Sequence, residues 1–161
     1  MEKKILEKIC NYLPIIQSTC DRYGWAGGKG HPIEKSAIVD TRKFFDFLTA
    51  QIPLADIPYP EDVYGDQMGC ITILWETELD PVAVTYDTFE VTIMGDGFVG
   101  YSGKLESTGT EAHGGAALEP ELCPEIIEHI KFFKRKKDEQ EQVSKSTTHE
   151  PVVNEQVQQK V

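Results

Sequence analysis

Glu111 and His113 stand two residues apart in ESTGTEAHGGAALEP (106–120), close to Ser107, Thr108 and Thr110 and followed by Gly114-Gly115. A carboxylate beside an imidazole is the pairing that general acid–base chemistry uses, and a hydroxyl is the nucleophile that such a pair activates. The two glycines would leave amides open to an oxyanion. On these residue types Glu111 and His113 are the catalytic candidates of a small enzyme working from a glycine-rich loop at 106–116. Residue types alone suit a plain connection equally well, because a nucleophile–base pair is defined by tertiary geometry.

The second chemical candidate is DRYGWAGGKGHPI (21–33). A phosphate-cradling loop needs a strand before it and a hydroxyl after its lysine. Here a helix pattern precedes, and Gly30 follows Lys29. The segment therefore reads as a joint. Gly24 would end the first helix in the left-handed conformation, Trp25 would fold back onto the core, Gly27 and Gly28 would reverse the chain, and His31-Pro32 would open the second helix. His31, His113, His129 and His149 share no metal-ligand spacing, and the acids near 56–66 lack the calcium-loop pattern. No cofactor and no metal are expected. Cys10, Cys20, Cys70 and Cys123 are scattered, as suits buried free thiols in a reducing cytoplasm.

Charge separates the chain into regions. The net charge is −11. Residues 54–128 hold sixteen acids against one base, Lys104. Residues 129–137 hold five bases, Lys131, Lys134, Arg135, Lys136 and Lys137, and no acid. An acidic body argues against direct nucleic-acid binding and favours a basic protein surface as partner. No run of apolar residues is long enough for a membrane span, and the N-terminus lacks the apolar stretch of a signal peptide, so a cytoplasmic protein is expected.

The elements that must position these residues follow from periodicity. Ile5, Leu6, Ile9, Leu13 and Ile16 define a first helix over 2–22, with a kink or restart expected at Pro14. Ile33, Ala37, Thr41, Phe44, Phe45, Leu48 and Ile52 define a second over 32–52, ended by Pro53. Residues 53–69 read as a long connection extended across the surface. A meander follows, with strands at 70–76, 81–86, 89–94 and 98–105. Asp87 and Thr88 mark a break or bulge, and Gly95-Asp96-Gly97 a tight hairpin. Gly100, Ser102 and Gly103 leave room for a neighbouring side chain. Leu122, Ile126, Ile127, Ile130 and Phe133 define a last helix over 120–137. The polar remainder reads as a disordered tail. The expected architecture is α+β: one domain over 1–137 with two N-terminal helices, a three- or four-stranded antiparallel meander and a C-terminal helix, then a disordered tail over 138–161.

On that meander Trp75, Tyr86 and Tyr101 are candidate aromatic anchors, ringed by Asp80, Asp87, Glu90 and Asp96; Trp75 suits a core position equally well. Gly24-Trp25-x-Gly27, Ile33, Pro58-Tyr59-Pro60, Gly69-x-Ile71 leading to Leu74-Trp75, and the hairpin before Tyr101-Ser102-Gly103 together resemble an uncharacterised family of small bacterial and phage proteins. The resemblance covers residues 21–105. The chain departs from the pattern in its extra glycine–lysine–glycine before His31 and in its acidic connection. The resemblance implies a helix–helix–meander–helix fold and no activity; it points to mobile-element genetics, with an antitoxin-like or anti-defence role. The reading is thus a non-enzymatic binding protein, an inhibitor, that engages a basic partner through an acidic sheet. The alternatives are the small enzyme above and an assembly component of a phage-like particle, recruited through 131–137 and the tail.

Overall fold

The computed structural model describes residues 3–22, 24 and 30–147, with backbone only at 3–6, 8 and 10. The element order is α1 (Lys3–Thr19), α2 (Lys35–Gln51), a 3-10 turn (Leu54–Asp56), β1 (Asp62–Gly65), β2 (Ile71–Asp80), β3 (Thr85–Ile93), β4 (Phe98–Leu105), β5 (Thr110–Ala117) and α3 (Pro124–Thr147). The fold is α+β, with five antiparallel strands in sequence order, one or two more than expected.

Alternation decides which face is covered. Ile71 pairs with Ile93, Ile73 with Val91 and Trp75 with Phe89, and all six side chains are fully buried. Each contributes on the order of 2 kcal/mol by leaving water. Phe44, Phe45 and Leu48 of α2 and Ile126, Ile130 and Phe133 of α3 join all of these but Ile71 in one cluster. Leu13 and Ile16 of α1 join Ile33, Ala37 and Ile71 in a second. All three helices therefore cover the same side of the sheet, as in other two-layer α+β folds.

Several expectations need correction. α1 runs through Pro14 without a restart, because Pro14 lies on the exposed side while Leu13 and Ile16 are held in the core. It stops at Thr19, so Gly24, although at φ 83°, is not its cap. The segment between the helices is closed as a joint instead: Gly24 N–H donates to the Gly30 carbonyl at 2.7 Å, and Ile33 N–H to that of Cys20 at 2.8 Å. Trp25, Gly27, Gly28 and Lys29 lie outside the described residues.

The connection at 53–69 is not merely extended. Ile57, Pro58 and Pro60 are buried, and residues 62–65 form the edge strand β1. Residues 81–84 form an exposed turn, because Pro81 has no amide to give a ladder and Asp80 Oδ1 accepts from Val82 and Ala83 N–H at 2.8 and 3.1 Å. The register shift falls between Glu78 and Asp80, and β3 runs unbroken through Asp87 and Thr88. The 106–116 loop is a four-residue turn followed by most of strand β5. α3 continues ten residues past Lys137, so residues 138–147 are helical rather than a disordered tail. Lys134–Asp138 at 2.7 Å and Lys136–Glu139 at 3.7 Å brace that extension. Residues 148–161 lie outside the described residues.

The hairpin at 95–97 is tied to α2. Asp40, buried on that helix, accepts from Gly97 N–H at 3.0 Å. Gly95, at φ 89°, lies so close that a Cβ there would sit 2.3 Å from Ala37 N. A Cβ on Gly97, at φ 79°, meets nothing within 4 Å. Both alanine variants carry left-handed strain of about 1 kcal/mol, but Gly95→Ala must also displace helix backbone. Urea denaturation should show Gly95→Ala losing at least about 2 kcal/mol more than Gly97→Ala. Equal losses would contradict this packing.

Candidate interface on the open sheet face

The face away from the helices is read directly from the register. One row crosses the sheet as Asp62, Leu74, Glu90, Ser102 and His113. A second holds Glu76, Thr88, Lys104 and Glu111, and Tyr86 stands opposite Glu78. Asp62, Glu76, Glu78, Glu90 and Glu111 thus share this face with one ammonium, Lys104, which Glu106 already holds at 2.7 Å. Tyr64, on the same face, has its phenol pushed above the usual range by burial first and then by Glu90, Asp66 and Asp62. The part contributed by the three carboxylates is what a negative field does to a phenol.

The nine candidates divide by location. Glu90 and Tyr86 lie on the open face, half-buried among their neighbours. Trp75 does not: it is in the core, its ring tilted against Phe89 at 6.0 Å, with Nε1 donating to the Pro58 carbonyl at 3.0 Å. Tyr101 pairs with Val91 on the helix-covered side and packs against Phe89. The aromatic trio therefore cannot act as one patch, since strand alternation sends Tyr86 to one face and the other two to the opposite one.

Asp87 is also removed from any interface. It is fully buried and accepts from Ser107 N–H at 2.9 Å and Ser107 Oγ at 2.6 Å, which fastens the β4–β5 turn. Asp80 and Asp96 are exposed but occupy turns at opposite ends of the nine-residue β3, roughly 30 Å apart. Asp96 Oδ1 accepts from Phe98 N–H at 3.1 Å. Asp66 does the same work in the β1–β2 turn, accepting from Met68 and Cys70 N–H at 2.8 and 3.2 Å. Each of the four hairpin turns thus has an aspartate as backbone acceptor, the role its short side chain suits best. The carboxylates on the strands of the open face are mainly glutamates.

Glu111 and His113 point to the open face from the edge strand β5. Both are exposed, and the strand spaces them about 7 Å apart, beyond direct proton transfer. Glu76, Glu78, Asp62 and Tyr64 are the face residues that the sequence reading missed. The signal was present: if Ile71, Ile73 and Trp75 are buried, Thr72, Leu74, Glu76 and Glu78 must face away.

Cys20, Cys70 and Cys123 are unpaired, and Cys20 and Cys70 are buried. Burial, then Asp66 and Asp96, push the Cys70 thiol up to about 11. Among the described residues no helix is long and apolar enough to cross a membrane, and no group of three or more histidine, cysteine or acidic residues is placed to hold a metal. No protein-family model matches the chain, and no curated protein or solved structure is significantly similar to it.

Two measurements check this placement. In thermal or chemical denaturation Asp87→Ala should cost about 2 kcal/mol by removing the buried carboxylate that holds the Ser107 amide and hydroxyl, and Glu90→Ala less than about 0.5 kcal/mol. Comparable losses would refute the division into turn and face carboxylates. The raised Cys70 pKa means that the folded state disfavours the thiolate, so stability from this group is complete below pH 9 and declines as pH rises from 9 to about 11. Cys70→Ala should therefore flatten the stability–pH curve in that window; an unchanged slope would show that the thiol is not shielded.

Proposed function

We propose that this protein is a non-enzymatic binding module whose open sheet face engages a basic surface on a partner protein. The observation that carries the reading is the one-sided sheet: the helices cover one face, and the other presents five carboxylates against one paired lysine. Such a field speeds encounter with a positive surface and discriminates against acidic ones. Tyr64, Leu74 and Tyr86 lie among the carboxylates and supply the apolar contact that a charged rim alone lacks. An inhibitor of the antitoxin or anti-defence type acts in this way, by covering a basic surface that its target uses for another ligand. The enzyme reading has less support, because Glu111 and His113 stand apart on an exposed edge.

Capture of the partner from the host by the tagged full chain, at low and high salt, tests the proposal. Combined Glu76→Lys, Glu90→Lys and Glu111→Lys substitutions should weaken binding more than about tenfold and flatten its salt dependence. Asp80→Lys with Asp96→Lys should change it by less than about threefold, since turn carboxylates lie off the face. Unaltered capture by the triple variant would overturn the reading.

A further inference from the structure

β1 accompanies β2 only as far as Leu74, yet β2 continues to Asp80. In an antiparallel ladder, alternate residues turn both backbone polar groups toward the same neighbour. The carbonyls of Cys70 and Leu74 accept from Asp66 and Glu61 N–H on the β1 side. Glu76 and Glu78 share their parity, so their amides and carbonyls face that same edge, beyond the point where β1 has ended. The C-terminal half of α3 runs alongside. Gln140 Nε2 donates to the Glu78 carbonyl at 3.1 Å, and Lys137 Nζ reaches the Tyr59 carbonyl at 2.6 Å and Glu61 at 3.1 Å.

Between strand and helix lies a groove of about 490 Å³. Glu61, Glu76, Glu78 and Glu141 line it and outnumber Lys137 and Lys145, of which Lys137 is already engaged by Glu61. Thr77 lines it as well. That residue is 4% exposed, and its Oγ1 is, among the described residues, the one buried side-chain polar atom without a hydrogen-bond partner. A hydroxyl left in that state costs free energy that an incoming polar group can recover.

We infer that this groove receives an extended basic segment of the partner, which adds, as a strand in line with β1, to the edge of β2 that no strand covers among the described residues. The inference rests on the reading that the open face takes a basic partner, and it names how that partner enters. Strand addition draws affinity from main-chain hydrogen bonds and selectivity from alternate side chains. The segment's backbone pairs with Glu76 and Glu78, displacing the Gln140 amide from the Glu78 carbonyl. Its side chains on the open side meet the Glu76 and Glu78 carboxylates and must be lysine or arginine. Those on the helix side meet Thr77 and Ser144 and must be small and polar.

The probe is an acetylated and amidated ten-residue peptide of alternating lysine and threonine, titrated into the full chain by calorimetry and by NMR-detected amide exchange. Binding should slow exchange at Glu76 and Glu78 more than about tenfold. Ser144→Trp, which blocks the groove at an exposed helix position without altering charge or the open face, should weaken binding more than about tenfold. Binding that leaves those amides unprotected, or that Ser144→Trp does not affect, overturns strand addition and leaves the open-face reading standing. No binding overturns it too. Slow exchange at both amides before peptide is added would mean that the chain's own segment fills the groove, and would equally overturn it. Failure of the open-face reading itself is read separately, from Glu90→Lys combined with Glu111→Lys, neither of which lines the groove.

Discussion

A shift of one residue between β2 and β3 would turn Ile71, Ile73 and Trp75 to water and bring Thr72, Leu74 and Glu76 under the helices. The period of a strand allows no intermediate. With Phe89, Val91 and Ile93 set opposite them, the buried register places six apolar side chains beneath the helices, and the alternative would bury carboxylates without partners. Everything on the other face follows from this choice. The glutamates of β2 and β3 face water because their neighbours in sequence cannot.

Close approach of backbone and rings then fixes how the helices and edge strand sit. Gly95 lets the β3–β4 turn press against the first turn of α2. Gly103 leaves space for the His129 ring, which stacks on Phe89 at 4.6 Å. Gly114 leaves space for Tyr101, whose Oη would stand 2.5 Å from a Cβ there. These glycines do more than permit turns; each marks a place where one layer meets another without a side chain between them.

Much of this was legible in the chain. The apolar stripes of α1 and α2, the alternation at 71–75 and 89–93, and the hairpin at 95–97 all carry strong local signals. The space foreseen at Gly103 is filled by His129. What escaped had weak or misleading local chemistry. β1 offers only Val63 and Tyr64 between an acid and a glycine, and β5, apart from Glu111 and His113, is threonine, alanine and glycine, so both are strands by virtue of their neighbours rather than their propensity. The end of α3 lacks an apolar stripe and is held by ion pairs and by Gln140 on the Glu78 carbonyl. The candidate interface was only half legible for a related reason. Total charge does not separate an aspartate that caps a turn from a glutamate that faces solvent, and Asp87 looked like surface until its contact with Ser107 came into view.

The central claim is that function resides on the carboxylate-bearing side of the sheet and not on its turns or on the basic run of α3. The most direct test is carboxyl footprinting by carbodiimide-coupled amide labelling, read by mass spectrometry on the full chain alone and with its captured partner. Protection concentrated at Glu76, Glu90 and Glu111, with Asp80 and Asp96 labelled equally in both states, is the result this account predicts. Protection confined to the turn aspartates or to the acids flanking residues 131–137, with those three glutamates unchanged, would contradict it.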